Sequence, residues 1–307
     1  MYDIIIVGAG PAGLTAALYA RRAERSVLVI EKDTFGGQIT HSPRVENYPG
    51  FASMSGNEFA DKLLEQVIAQ GAEIELDEVT GIEGEAGKYT VKCLSRDYTA
   101  ASVIIATGSH HRMLGIEGEL RFVGEGISYC AVCDGAFYKG KHVAVIGGGN
   151  SALQDAVLLS DSCASVTIVQ NLERLTGEPR LQKILAEKKN VRVIYSTVVS
   201  AILSDGDRFL GIELESASTA VRHNLELDGV FVAIGQVPEN EPFSNVASLN
   251  DYGYIVAGEN CIPESAKDGI FVAGDCRTKA VRQITTATAD GAVAALAAIR
   301  FLDNIKA

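Results

Sequence analysis

An α/β fold of two parallel-sheet units, the second inserted in the first, is predicted by three features of this 307-residue chain. A short apolar run entering a glycine turn of the GxGxxG/A type occurs twice, as DIIIVGAGPAG at residues 3–13 and HVAVIGGGNSA at 142–152. Each is followed, about 90 residues later, by an apolar run stopped by Gly: VIIATG at 103–108 and VFVAIG at 230–235. After the second of these, GIFVAGD at 269–275 adds one more buried strand with a Gly-Asp end. The sum is two Rossmann-like, three-layer dinucleotide-binding domains. The expected boundaries are 1–111 with 241–307 for the first domain and 112–240 for the second.

Composition agrees. Hydrophobic residues make up 47% and charged residues 21%, which is globular, and 31 Gly is about 10% of the chain against a usual ~7%. At roughly 150 residues per domain the length fits two. Lys plus Arg is 27 and Asp plus Glu is 39, a net charge of −12, the wrong sign for collecting nucleic acid or an anionic membrane. No window holds about 18 uninterrupted apolar residues; the longest, 291–299, is Ala-rich and ends at Arg300. The N-terminus lacks a basic n-region, so a cytoplasmic protein is expected. Six cysteines are too sparse for a secreted disulfide scaffold.

The elements follow in order. After the first turn, Leu14, Ala17, Leu18 and Ala20 have helical spacing and lead to a strand at 27–30 that ends at Glu31, 23 residues after Gly8. A lone glycine motif is weak, but strand, turn, helix and acid in sequence are specific. The glycines admit a pyrophosphate at the helix N-terminus, and a carboxylate after the second strand accepts ribose hydroxyls. In flavoproteins with two dinucleotide sites the FAD unit comes first, and a late Gly-Asp carboxylate meets the ribityl chain. Gly274 and Asp275 fit that role; the plainer reading of Asp275 is as a cap of the C-terminal helix expected over 282–301.

Residues 110–129, with Gly115, Gly118, Gly124 and Gly126, read as an exposed connector, and His110 and His111 as solvated loop residues without a metal. In the second unit Leu153, Ala156, Val157 and Leu159 carry the helix and residues 166–169 the strand. The counterpart of Glu31 is Gln170, which is not acidic. A 2′-phosphate would call for a bidentate cation here, and the chain reads Gln170, Asn171, Leu172, Glu173. NADH is favoured over NADPH, although Arg174 and Arg180 lie further on.

Cys130-Ala131-Val132-Cys133-Asp134 admits a zinc reading and a dithiol reading. Zinc needs a second ligand pair, and no other cysteine forms CxxC or CxxH. A CxxC at a helix start lowers a thiol pKa toward neutrality. Asp134 can move the proton that thiol and disulfide interchange requires, or be a simple helix N-terminal charge. Cys93, Cys163, Cys261 and Cys276 lack partners in sequence and read as small buried residues.

Taken together, the motifs Gly8 to Gly13, Gly36-Gly37-Gln38, Glu46-Asn47-Tyr48-Pro49-Gly50, Ala106-Thr107-Gly108, Cys130 to Tyr138, Gly147 to Ala152, Gly274-Asp275 and Arg282-Gln283-Ile284 resemble those of low-molecular-weight thioredoxin reductases. They are similar also to the flavoprotein subunit of alkyl hydroperoxide reductase. The resemblance covers essentially the whole chain. It implies FAD along Gly8, Gly10, Pro11, Ala12, Gly13, Glu31 and Lys32, with Gly36, Gly37, Gln38, Asn47, Thr107, Gly108, Gly274, Asp275, Arg282, Gln283 and Ile284 around it. It implies a nicotinamide nucleotide at Gly147, Gly149, Asn150, Ser151 and Gly235, and by their position after the second strand the neutral Gln170 and Asn171 are expected to hydrogen-bond its 2′-hydroxyl. It implies further that Cys133 faces the flavin, that Cys130 attacks the disulfide of thioredoxin or a thioredoxin-like protein, that Asp134 is the proton donor, and that the protein is a homodimer whose second domain rotates about linkers near 110–112 and 236–238.

The chain departs from the resemblance where the family carries His-Arg-Arg and a further Arg. Here Gln170, Asn171, Leu172 and Thr176 stand at those positions. That departure keeps a second function open: a ferredoxin-fed reductase or a small-molecule dithiol oxidase that uses no nicotinamide. A flavin-bearing redox sensor is the non-enzymatic alternative.

Overall fold

The computed structural model describes residues 1–42 and 44–306. The chain separates into two compact units, Met1–His110 with Val237–Ala307, and His111–Gln236.

In the first unit the strand order is Glu73–Leu76, Val27–Glu31, Tyr2–Val7, Tyr98–Ile105, Lys88–Cys93, Val79–Glu85. The late strand Ile270–Val272 pairs in parallel with Tyr98–Ile105. Along Tyr2–Val7 the side chains alternate between two cores: Ile4 and Ile6 pack with the helices Pro11–Arg22 and Ile284–Lys306, and Ile5 and Val7 pack on the other face with Tyr89 and Phe243. A strand buried on both faces is the signature of a three-layer sheet. Pro11 opens its helix at a position where a missing N–H costs nothing. Ser55 and Glu58 form a capping box at the start of helix Gly56–Ala69.

The second unit repeats the plan with a five-stranded parallel sheet in the order Val191–Ile194, Ser165–Val169, His142–Ile146, Gly229–Val232, Ile127–Ser128. Val143 and Val145 face one core while Ala144 and Ile146 face the other. Helices Asn150–Ser160 and Pro179–Ala186 accompany it, with an antiparallel sheet of Thr197–Asp205, Arg208–Ser216 and Arg222–Glu226.

Two expectations are corrected. Residues 110–129 are not simply an exposed connector: Glu119 is 2% exposed, and its carboxylate accepts the Leu114 and Gly115 N–H groups, both at 2.8 Å, and the Tyr129 hydroxyl at 2.7 Å. Phe122 and Ile127 enter the core, and a Cβ on Gly126 would fall 2.3 Å from the Phe209 ring. Glycine serves here for close packing as well as for turning. The C-terminal helix, Ile284–Lys306, begins later than 282 and runs beyond 301. Over Ile284–Ile305 its length and mean hydropathy of 1.2 would suffice to cross a membrane, but Ala287, Ala294, Ala298 and Leu302 are buried in the first unit's core.

Candidate redox and dinucleotide sites

Cys130 and Cys133 are joined as a disulfide, with Cα atoms 5.3 Å apart. Of the two sequence readings this is the dithiol one. Cys130 is the N-cap of the one-turn helix Ala131–Asp134, and its Sγ accepts the Cys133 N–H at 3.2 Å. Ala131 is buried and anchors the turn, whereas Val132 between the cysteines is 59% exposed. Asp134 is half-buried; its Oδ2 accepts the Ser128 hydroxyl at 2.6 Å, and that same oxygen of Ser128 accepts the Cys130 N–H at 3.1 Å. Burial pushes the Asp134 carboxyl above the usual carboxylate range, and the Ser128 hydrogen bond opposes this. Ser128 was not legible as a site residue, since a Ser two positions before a Cys carries no motif of its own. Burial also raises the remaining thiols, Cys93 to about 12 and Cys261 and Cys276 to about 11. Cys276 Sγ sits 3.3 Å from the Ala273 carbonyl oxygen, as a small buried residue would. Cys93 is only half-buried.

The first glycine turn is built by close approaches. A Cβ on Gly8 would lie 2.4 Å from the Ala106 carbonyl oxygen, and one on Gly13 would lie 1.9 Å from that of Gly8. Gly10 is the N-cap of Pro11–Arg22 and no side chain caps it. Glu31, 9% exposed, accepts the Ala9 N–H at 2.7 Å and the Asp33 N–H at 3.0 Å, while Lys32 pairs with Glu239. Gly36 donates to the Ala9 carbonyl at 2.9 Å, which brings Gly36 and Gly37 against Gly10, with Gln38 following in the short helix Gly37–His41. Distant segments meet in the same unit. Asn47 donates to Gln283 Oε1 at 3.1 Å, and Thr107 donates to Asn240 Oδ1 at 3.0 Å. Asn240, expected from the sequence only as the last residue of the second domain, is 1% exposed and also donates to the Gly253 and Cys276 carbonyls. Gly274 abuts Ala12, where an added Cβ would come within 2.8 Å.

Asp275 does not cap the C-terminal helix, because that helix starts nine residues later, at Ile284. Its Oδ1 is buried with no hydrogen-bond partner among the described residues, 3.8 Å from Lys279 Nζ. Burial raises this carboxyl and the Lys279 and Arg282 charges oppose the rise. A buried acceptor lacking a donor fits a ligand hydroxyl. Arg282 lies over the Tyr254 ring, 4.3 Å from its centroid.

The second turn repeats the pattern: a Cβ on Gly147 would lie 2.5 Å from the Ala233 carbonyl oxygen, and Gly149 is the uncapped N-cap of Asn150–Ser160. Gln170, 3% exposed, packs its amide on Gly148, where a Cβ would fall 2.5 Å away, and donates to the Arg174 carbonyl at 3.0 Å. The Gly148 carbonyl accepts the Thr176 and Gly177 N–H groups at 2.8 and 2.9 Å, and the Thr176 hydroxyl at 3.2 Å. Asn150 Oδ1 accepts the Glu178 N–H at 2.7 Å. Residues 171–178 thus fold back on the turn, with Asn171, Arg174 and Arg180 exposed and Ser151 exposed beside them; Gly235 holds a left-handed φ of +111°.

Two glycine-turn units and a disulfide define a dithiol oxidoreductase of two dinucleotides. The family model described as pyridine nucleotide-disulphide oxidoreductase matches residues 2–291, and the chain belongs to that family. It is an oxidoreductase, its family implies use of a flavin and a nicotinamide nucleotide, and the Cys130–Cys133 pair fits the family's redox disulfide. Over 306 residues the chain is 40% identical to the thioredoxin reductase of Bacillus subtilis, covering 100% of this chain and 96% of that protein. The match to the thioredoxin reductase of Treponema pallidum is also 40% over 306 residues, covering 99% and 98%. The crystal structure of thioredoxin reductase from Streptococcus pyogenes superposes with a TM-score of 0.93 at 36% identity, covering 99% of each chain.

Proposed function

We propose that this chain is an FAD-dependent thioredoxin reductase that draws electrons from NADH in preference to NADPH. The observation that carries the reading is the Cys130–Cys133 disulfide at the cap of a one-turn helix, in the unit built on the second glycine turn. FAD belongs to the first unit, along Gly8 to Gly13, Glu31 and Lys32, with Gly36 to Gln38, Asn47, Thr107, Gly108, Gly274, Asp275, Arg282, Gln283 and Ile284 around it. The orphaned Asp275 oxygen supports this placement. Bound FAD supplies the two-electron carrier between nicotinamide and disulfide. The nicotinamide nucleotide belongs on Gly147, Gly149, Asn150, Ser151 and Gly235, with Gln170 and Asn171 at the ribose. The side chain of Gln170 carries no charge to pair a 2′-phosphate, which is why NADH is favoured.

Two electrons and two protons convert the disulfide to two thiols. The Cys130 thiolate then attacks the thioredoxin disulfide, forming a mixed disulfide; the Cys133 thiolate attacks Cys130 Sγ, re-forms the internal bond and releases reduced thioredoxin. Asp134, kept protonated to higher pH by burial, hands its proton to the departing thiolate. A cytoplasmic homodimer is proposed from the resemblance and the sparse cysteines. The second reading, a ferredoxin-fed reductase or dithiol oxidase, is favoured by one observation, that the Gln170 amide is engaged by Arg174 and Thr176 stands where the family carries Arg.

The thiol order is tested with a thioredoxin whose single remaining active-site cysteine carries thionitrobenzoate. Cys133→Ser should release one thionitrobenzoate and form a stable adduct seen by mass spectrometry, and Cys130→Ser should not. The reverse pattern, or adducts with both, overturns the assignment.

A further inference from the structure

Behind the Gly274–Asp275 turn lies a buried ionic cluster that the sequence did not reveal. Asp290, on the C-terminal helix, accepts Arg277 Nε at 2.9 Å and Nη2 at 2.8 Å, Lys279 Nζ at 2.9 Å and the Gly274 N–H at 3.1 Å. The three side chains are nearly enclosed, at 7% for Arg277, 7% for Lys279 and 10% for Asp290. Burial pushes the Asp290 carboxyl up, but the Arg277 and Lys279 hydrogen bonds outweigh it and hold it below the usual range. Four donors therefore converge on one carboxylate, while 3.8 Å from the same Lys279 the Asp275 Oδ1 has none among the described residues.

A buried ion pair is a poor device for stability alone, since apolar side chains of similar volume do as well. What this one achieves is geometric. Asp290 precedes Gly291, which is seated on Ala12, so its carboxylate is fixed by helix packing. From there it grips the backbone of Gly274 directly and the two residues at 277 and 279 that follow Asp275. The charges facing Asp275 are Lys279, Arg282 and Arg277 against Asp290.

We propose that Asp290 is the positioning residue of the Gly274–Asp275 turn, and that Lys279, shared between Asp290 and Asp275, keeps the Asp275 carboxylate an aimed hydrogen-bond acceptor for FAD. This rests on the reading of Asp275 as a flavin contact. The cluster is electrostatic in function, so neutralising Lys279 changes the flavin as well as its retention.

The test uses the holoproteins of Asp290→Asn, Lys279→Met, Lys279→Arg and Asp275→Asn. Thermal unfolding establishes that each is folded, FAD release is read as the rise of flavin fluorescence on dilution, and the flavin midpoint potential is read by dye equilibration. Asp290→Asn and Lys279→Met should release FAD at least tenfold faster than the parent. Lys279→Met should shift the potential to more negative values, and Lys279→Arg should keep both near parental. If Asp290→Asn fails to fold, the two Lys279 variants carry the test. Parental release and potential in Asp290→Asn and Lys279→Met, alongside rapid FAD loss from Asp275→Asn, overturn the proposal and leave the flavin reading standing. Faster release without a potential change, not restored by Lys279→Arg, reduces the cluster to a structural role and overturns it too. Parental FAD retention in Asp275→Asn sinks the flavin reading of that residue and the proposal with it.

Discussion

Partial burial sets the protonation of Asp155. It lies half-buried on helix Asn150–Ser160, and burial raises it from 3.8 to about 6. The folded state therefore holds this proton more tightly than the unfolded chain. Its contribution to stability is present below pH 3.8 and lost as pH rises through about 6, a difference of up to about 3 kcal/mol. Asp155→Asn should unfold at higher denaturant than the parent at pH 8 and at about the same concentration at pH 4. A variant-to-parent difference that is constant with pH contradicts this. At the same scale, the functional side chains divide by legibility. Cys130 and Cys133 sit in a motif whose chemistry is local, so the pair is legible in the sequence, and Asp275 is proposed as a site residue from the Gly-Asp pattern alone. Ser128, Asn240 and Asp290 act through partners far away in sequence or through burial, and nothing in their neighbours announces that.

At the scale of elements, apolar runs ending in glycine identified the parallel strands because a strand buried on both faces has no polar positions to confuse the pattern. Residues 110–129 misled for the opposite reason: glycine and glutamate imply solvent, yet Glu119 is enclosed by donors that only the folded chain brings to it. The antiparallel strand Arg222–Glu226 is mostly exposed and carries little apolar periodicity, so the sequence does not announce it. Helix packing supplies a prediction. A Cβ on Gly291 would lie 2.2 Å from the Ala12 carbonyl oxygen and 3.1 Å from the Ala16 nitrogen. Gly291→Ala should thus push the C-terminal helix off Pro11–Arg22 and cost about 1–3 kcal/mol, despite the better helix propensity of Ala. Thermal unfolding should fall by several degrees and the purified protein should hold less flavin; an unchanged melting temperature with full flavin content argues against so tight a seat.

Over the whole molecule, the repeated strand-turn-helix-strand pattern gave the chain its two units, and the difference between the two copies carries the functional argument. Glu31 buries a carboxylate against the first turn, whereas Gln170 buries a neutral amide against the second. On the proposed reading the same fold serves two dinucleotides, and the uncharged Gln170 amide packed on Gly148 is what favours NADH at the second. Anaerobic titration of the purified holoprotein with NADH and, separately, NADPH, following the loss of the oxidised flavin band, tests this most directly. NADH should bleach the flavin fully at far lower concentration than NADPH; a flavin that neither nucleotide reduces would contradict this and turn the assignment to ferredoxin-fed or dithiol oxidase chemistry.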